Sequence, residues 1–223
     1  MDNNILWNDI DAIIFDMDGV ITDTETVINE AGILTLKQYG INAKPEDFIP
    51  FIGAGDDKYI TGVAEKYGIK YDPELKKKLY ENYFKILPQK IKLFPGVKEL
   101  ISTIKKIHKK VAIATAADLV KLKANLDCSG LSIDLFDCII TGDDILKKKP
   151  DPEIYLITAQ KLKIAPGKCC VIEDALNGIE SAKSAGMKCV AVSNSFSVPE
   201  LITKQPDKIV SNLFEIVDEL LNI

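Results

Sequence analysis

The stretch from Asp11 to Thr24 reads DAIIFDMDGVITDT, and it decides the fold. Its apolar run, Ala12 to Phe15, lies between charged residues and predicts a strand buried on both faces, as in a parallel sheet. Two aspartates, Asp16 and Asp18, follow this strand, and Gly19 permits the chain to turn. The stretch therefore predicts two carboxylates that converge at the mouth of an open α/β sheet, where such folds bind ligands.

The apolar pattern after this strand is first helical and then alternating. Helices are predicted at Glu25–Tyr39, Asp56–Tyr67 and Pro73–Leu87, before a turn-rich linker at 88–96. Strands that alternate with helices are predicted at Val111–Thr115, Cys138–Thr141, Cys170–Glu173, Cys189–Val192 and Ile209–Val210. This alternation is typical of a doubly wound parallel sheet. We therefore predict a Rossmann-like α/β core, residues 1–22 and 93–223, with an inserted small α-helical cap domain, residues 23–92.

Composition excludes several partners. Apolar residues make up 47% of the 223 residues, and no apolar run approaches the ~20 residues of a membrane span. The start, Met1 to Asn4, lacks the pattern of a signal peptide, so we predict a cytoplasmic monomer without a membrane partner. The net charge is −5, and all 28 basic residues are Lys, which disfavours nucleic acid. Without Arg, any phosphate must be bound by Lys, backbone amides, hydroxyls or metal.

Two further polar motifs concern phosphate. Thr115 ends a predicted strand and precedes Ala116 and a helix, whose free backbone amides suit a phosphoryl oxygen together with the hydroxyl. Taken alone, Thr115 would be an ordinary β-branched strand residue. Two lysines precede Lys149, and two prolines, Pro150 and Pro152, follow it. A lysine run is usually solvated, but these prolines stiffen the approach to a helix and can direct Lys149 inward.

The last polar motif is an acidic pair. Glu173 and Asp174 end a predicted strand and lead into a helix, which suits either a cation site or an ordinary acidic helix start. With Asp16 and Asp18, they would gather around a phosphate dianion. Like charges about 4 Å apart repel by roughly 4 kcal/mol at an effective dielectric of 20, so such a site needs cations. Oxygen ligands alone favour Mg²⁺ as the cofactor.

In order and position, these four motifs resemble those of the haloacid dehalogenase-like (HAD) phosphohydrolase superfamily. The segment Asp16 to Thr24 is most similar to the branch with β-phosphoglucomutase and small sugar-phosphate phosphatases, and the resemblance covers nearly the whole chain. It implies that Glu173 and Asp174 are metal ligands, and that Asp16 and the backbone carbonyl of Asp18 complete the metal site.

The resemblance also implies a reaction. Asp16 would attack phosphorus as a nucleophile and form an aspartyl-phosphate. Asp18 would protonate the leaving oxygen and then take a proton from the attacking water. Thr115 and Lys149 would stabilise the charge on the phosphoryl oxygens. The dehalogenases of the superfamily lack an acid at the position of Asp18, which disfavours dehalogenation.

The predicted cap should select the substrate by closing over the site. In β-phosphoglucomutase the first cap helix carries a His, but the corresponding segment here, Thr26–Asn29, has none. The mutase cap also has a basic residue in the segment that aligns with Gly53–Lys58, and Lys58 is the one basic residue of that segment here. Gly53 and Lys58 are thus the predicted cap contacts with substrate. The glycines of this segment lack the spacing of a dinucleotide-binding fingerprint, so a nucleotide site is not predicted here. We predict a Mg²⁺-dependent phosphatase of a small phosphorylated metabolite, in particular a sugar phosphate, with a sugar phosphomutase as the alternative.

A non-catalytic phosphate-binding or receiver-like module is the third hypothesis. Receiver domains also gather Asp, Thr and Lys at strand ends. They are about half as long, however, and carry the acceptor Asp on a middle strand without inserted helices. A dead module would more readily have lost one of Asp16, Asp18, Lys149 or Asp174, and all four are present.

Overall fold

A central sheet of parallel strands organises the chain, which a computed structural model describes over residues 7–70 and 72–222. The predicted start of the core, residues 1–6, lies outside this part. The strands are β1 (Ala12–Phe15), β2 (Thr22–Asp23), β3 (Lys92–Leu93), β4 (Lys110–Ala114), β5 (Cys138–Ile140), β6 (Cys169–Glu173), β7 (Lys188–Val192) and β8 (Lys208–Val210). Six of them form a sheet in the order β5-β4-β1-β6-β7-β8, and every pairing in it is parallel.

Strand β1 is central and is buried on both faces, as its unbroken apolar run predicts. Ile13 and Phe15 pack into one hydrophobic cluster, and Ala12 and Ile14 pack into another on the opposite face. This alternation follows from the two-residue period of a strand. The two clusters are the layers above and below the sheet.

Helices cover both faces of the sheet. The helices are α1 (Glu25–Lys37), α2 (Asp56–Lys66), α3 (Glu74–Lys90), α4 (Val97–Lys106), α5 (Leu119–Ser129), α6 (Glu153–Leu162), α7 (Leu176–Ser184), α8 (Val198–Ile202) and α9 (Phe214–Leu220). Apolar residues of α4, α5 and α9 belong to the first cluster, and those of α6, α7 and α8 belong to the second. The doubly wound α/β fold predicted from the sequence is confirmed.

Helices α1, α2 and α3 pack around a third hydrophobic cluster of their own, which includes Val27, Ile60 and Leu79. The two segments that connect these helices to the sheet pair with each other as the antiparallel strands β2 and β3. This arrangement is compatible with a cap inserted after β1. The boundaries 22/23 and 92/93 stay a prediction.

Three local features differ from the sequence-based expectations. Helix α3 continues through Pro88 to Lys90, although a helix end was predicted at Leu87. Pro88 has no backbone N–H, so the last turn of α3 lacks one helical hydrogen bond. This turn is nevertheless held in the cap by the buried side chain of Leu87. Strands β2 and β3 and helix α8 were not predicted, because a strand of two residues shows no alternation and a helix of five residues is little more than one turn.

Within residues 7–70 and 72–222, none of the helices combines the length and the apolar character needed to cross a membrane.

Candidate active site

The carboxyl ends of β1, β4 and β6 meet at one edge of the sheet. Asp16 follows β1 and donates its backbone N–H to the Ile172 carbonyl at 3.0 Å, while Thr115 follows β4 and donates to the Ile140 carbonyl at 3.0 Å. Glu173 is the last residue of β6. Because neighbouring parallel strands are in register, the residues that follow them are brought together, as predicted from the four motifs.

Lys149 lies beneath this edge with its ammonium group fully enclosed. Its Nζ donates to Asp16 Oδ1 and to Glu173 Oε1, both at 2.6 Å. Burial alone would lower the pKa of Lys149, but the carboxylates of Asp16 and Glu173 outweigh burial and raise it. The ammonium therefore stays charged and provides a fixed positive charge next to Asp16.

The carboxylate of Glu173 is saturated with hydrogen bonds. Oε1 accepts from Lys149 and from the Tyr155 hydroxyl at 2.9 Å. Oε2 accepts from the backbone N–H groups of Asp174 and Ala175, both at 2.9 Å. An ionised carboxylate has about four acceptor positions, and all are used. This arrangement favours Glu173 as the group that holds Lys149 in place, and its predicted direct contact with metal stays a prediction.

Asp16, Glu173 and Asp174 form a buried acidic cluster in which each residue has one oxygen within 4.8 Å of the others. Burial, the largest effect, raises the pKa of Asp16 to about 7 although Lys149 opposes it. Burial also raises the pKa of Asp174, and Glu173 and Asp16 add to this effect. A divalent cation at these oxygens would favour the ionised carboxylates, and the oxygen-only donor set fits Mg²⁺.

Gly19 permits the approach of Asp174 to this cluster. A Cβ atom on Gly19 would lie 1.8 Å from Asp174 Oδ2, and the φ angle of Gly19 is +85°. A side chain at residue 19 is therefore excluded twice, by contact and by backbone conformation. Ser195 donates its hydroxyl to the same oxygen of Asp174.

The side chain of Asp18 points away from the acidic cluster. Its Oδ1 accepts from the Thr24 hydroxyl at 2.5 Å, and its Oδ2 accepts from Lys121 at 3.0 Å. Asp18 nevertheless lines the same cavity as Asp16 and Asp174. This position suits an acid and base better than a side-chain metal ligand. The predicted metal contact of Asp18 concerned its backbone carbonyl and stays a prediction.

The cavity at this edge has a volume of about 660 Å³, part of which is open to solvent. Thr115 and Ala116 line its core side, as predicted for phosphate contacts, and Gly53 lines its cap side. The cap wall also carries the apolar side chains of Ile28, Phe51, Ile52 and Tyr59, together with the acids Glu25 and Asp56.

Lys58 is not brought to this cavity. Its ammonium pairs with Glu65 at 3.2 Å, and 54% of its side chain is exposed. Lys58 lies in the first turn of α2, and its side chain follows the outer face of that helix, because Glu65 lies two turns further on the same side. The Lys58 ammonium also lies 5.8 Å from the centre of the Phe51 ring, which lines the cavity, and the predicted substrate contact of Lys58 stays a prediction.

Sequence reasoning missed Lys121, Asp56 and Ser195. Lys121 lies in the first turn of α5, the helix that follows the phosphate motif, but a lysine in a helix normally reaches solvent. Only its place on the buried side of α5, next to Leu122 and Asn125, could have indicated a role.

Hydrolysis of a phosphate ester is the chemistry for which such a site is typical, so the fold and the site define a phosphohydrolase. Residues 13–192 match the family described as haloacid dehalogenase-like hydrolase, and the chain belongs to this family. The resemblance found in the sequence is thereby confirmed.

Curated relatives agree with this assignment. The chain is 37% identical to the Arabidopsis thaliana protein SUPPRESSOR OF QUENCHING 1, chloroplastic, over 86% of this chain but only 18% of that longer protein. It is 33% identical to a phosphorylated carbohydrates phosphatase of Thermotoga maritima, over 80% of this chain and 83% of the relative. It is 30% identical to fructose-1-phosphate phosphatase YqaB of Escherichia coli, over 81% and 95%. The predicted enzyme class, phosphoric monoester hydrolase, is confirmed.

Solved structures also match. CbbY from Rhodobacter sphaeroides, in complex with phosphate, has a TM-score of 0.83 and 25% identity, and the match covers 93% of this chain and 96% of that one. β-Phosphoglucomutase from Clostridium difficile has a TM-score of 0.81 and 28% identity, over 96% and 97%. CbbY and a β-phosphoglucomutase thus share this architecture.

Proposed function

We propose that this chain is a Mg²⁺-dependent phosphatase that hydrolyses a small sugar monophosphate through an aspartyl-phosphate on Asp16. One observation carries the proposal. The ammonium of Lys149 lies 2.6 Å from Asp16 Oδ1 at the base of a cavity that Asp18 also lines. Named relatives that act on phosphorylated carbohydrates and on fructose 1-phosphate support the sugar phosphate.

In the first half of the reaction, a carboxylate oxygen of Asp16 attacks phosphorus. Lys149 occupies Oδ1, so Oδ2 is the oxygen available for attack. The bond from phosphorus to Asp16 forms while the bond from phosphorus to the sugar oxygen breaks. Asp18 gives its proton to that oxygen, and the free sugar leaves.

In the second half, water attacks the phosphorus of the aspartyl-phosphate. Asp18 takes a proton from this water, the bond between phosphorus and Asp16 breaks, and inorganic phosphate is released. Thr115 and the backbone amide of Ala116 are suited to bind the phosphoryl oxygens during both halves. Mg²⁺, held by Asp16, Asp174 and the Asp18 carbonyl, would supply positive charge against the phosphoryl oxygens when bound.

The charge of the cavity favours a monophosphate and hence a phosphatase over a mutase. Of the described residues that line it, Lys121 is the one cation, and it is paired with both Asp18 and Asp56. Glu25 adds a further acid on the cap side. A mutase must hold a bisphosphorylated sugar, and this cap wall provides no unpaired cation from the described residues for a second phosphate.

The test is a phosphate-release assay with Mg²⁺ on a panel of hexose and pentose phosphates, which includes β-glucose 1-phosphate with a trace of the bisphosphate. We expect release of inorganic phosphate from sugar monophosphates, a loss of at least 1,000-fold in Asp16→Asn, and wild-type rates in the exposed matched control Asp134→Asn.

Two outcomes would contradict the proposal. Conversion of β-glucose 1-phosphate into glucose 6-phosphate without phosphate release would identify a mutase. Complete lack of turnover on the panel would favour a non-catalytic phosphate-binding module.

A further inference from the structure

One face of helix α5 carries three polar contacts to the cap. Asp118, just before the first turn, pairs with Lys76 of α3 at 2.5 Å. Lys121 pairs with Asp56 of α2 at 2.9 Å. Asn125 accepts from the Tyr83 hydroxyl of α3 at 2.7 Å. The positions 118, 121 and 125 follow helical spacing, so this face of α5 is a polar contact surface for the cap.

Asn125 also contacts the reaction site, since its Nδ2 lies 3.4 Å from Asp18 Oδ1. Lys121 makes the shorter contact and is the one of the three that brings a positive charge to Asp18. Its side chain is 3% exposed and its Nζ lies 3.0 Å from Asp18 Oδ2. The same Nζ lies 2.9 Å from Asp56 Oδ1. One ammonium group therefore joins Asp18, the proposed acid and base, to the first turn of cap helix α2.

Asp56 is itself held in place. Its second oxygen accepts from the Tyr80 hydroxyl at 2.8 Å, and its side chain is 7% exposed. Moving the cap away from α5 would separate Asp56 from Lys121 and leave Lys121 with a single counter-charge. The ion pair between Lys121 and Asp56 therefore exists only while the cap lies against α5.

We propose that Lys121 is a positioning residue that couples closure of the cap to the orientation of Asp18. This inference rests on the proposed function, because Asp18 matters only if it acts as acid and base. With the cap closed, Asp56 fixes Lys121, and Lys121 fixes Asp18 toward the cavity. With the cap displaced, Lys121 follows Asp56 or stays with Asp18, and in either case the closed arrangement of the three groups is lost.

The test compares Lys121→Met, Asp56→Asn and the double variant with the wild type. Lys121→Met keeps the length of the side chain and removes its charge, and Asp56→Asn changes only the cap. The matched control is Lys123→Met, which removes an exposed lysine from the same helix. The measurements are kcat/KM on the best sugar phosphate of the panel and hydrogen exchange in residues 51–60.

We expect kcat/KM to fall at least tenfold in each single variant, with faster exchange in residues 51–60, and to change less than twofold in Lys123→Met. The double variant should lose less than the product of the two single losses, because both substitutions remove the same ion pair. A purely structural ion pair would show the same coupling in Tm, so the positioning role is separated from it by a loss of kcat at saturating substrate in variants whose Tm stays close to that of the wild type.

Activity within twofold of wild type in both single variants would overturn the proposal, as would independent losses without faster exchange in the cap. If Lys121→Met does not fold, Asp56→Asn decides the question alone, because its activity and exchange are predicted to change in the same direction. A failure of the proposed function is distinguishable, since the wild type itself would then release no phosphate, while the exchange measurement would still report on the contact.

Discussion

At the scale of single residues, Glu173, which holds Lys149 in place, is as tightly constrained as Lys149 itself. Glu173 is held by two side-chain and two backbone donors, and Gly178 of α7 lies directly against it. A Cβ atom on Gly178 would lie 1.7 Å from Glu173 Oε1. The absence of a side chain at residue 178 therefore makes room for the carboxylate that orients the lysine.

Gly178→Ala is expected to lower kcat/KM at least tenfold. Alanine in a helix is favoured over glycine by about 1 kcal/mol, but the displaced carboxylate would no longer hold Lys149 beside Asp16. Phosphate release and Tm check the prediction, with Gly167→Ala as the control, because a Cβ atom there meets nothing within 4 Å. Wild-type activity in Gly178→Ala would show that Glu173 can move without consequence.

Apart from Lys149, which its neighbouring prolines indicated, the core-side residues that could be predicted from sequence are those that follow strands. Asp16, Thr115 and Asp174 come directly after apolar runs, and parallel register alone brings such positions together. Lys121 and Ser195 could not be predicted in this way, because their contacts depend on how helix α5 and a loop pack in three dimensions. The structure brings Asp16, Thr115 and Asp174 to one cavity, and their catalytic roles stay a prediction.

At the scale of elements, helix α2 presents two differently placed charged residues in its first turn. Asp56 is buried against Lys121, whereas Lys58, two positions later, lies outward against Glu65. In a helix, residues two positions apart point in different directions. The helix itself was predictable from its period, but which of its charges faces the site was not, because that depends on the rotation of the helix against the core.

Lys58→Ala is accordingly expected to change kcat/KM by less than twofold. An exposed ion pair such as Lys58 with Glu65 contributes about 0–1 kcal/mol to stability, so Tm should also be nearly unchanged. Lys149→Met serves as the matched comparison and should abolish turnover. A large rise in KM in Lys58→Ala would restore the substrate contact predicted from the sequence.

At the scale of the whole molecule, we expect the acidic cluster to make stability depend on pH and on the proposed metal. The pKa of Asp16 is raised from 3.8 to about 7 by burial and neighbouring carboxylates, against the effect of Lys149. Between these two pH values the folded chain binds a proton that the unfolded chain has released. The stability contributed by this group is therefore lost as the pH rises from about 4 to about 7.

In EDTA, we expect Tm to fall as the pH rises through this window, and to fall less in Asp16→Asn, which lacks the titrating group. A change of 1 kcal/mol corresponds to about 2–4 °C for a chain of this size. Adding Mg²⁺ should raise Tm more at pH 8 than at pH 5, because protons compete for the same oxygens. An equal effect of Mg²⁺ at both pH values, measured by thermal unfolding, would contradict a carboxylate metal site.

The central place of β1 in the sheet also bears on how the protein is made. Ala12 pairs with Lys110 on one side and with Cys169 on the other, so the strand that carries Asp16 emerges from the ribosome long before either neighbour. The cap helices lie between and can pack first, since chains fold from their N-terminal end during synthesis. A nascent chain arrested before Cys169 should thus protect its cap from protease yet release no phosphate, because the site is incomplete until β6 has been synthesised.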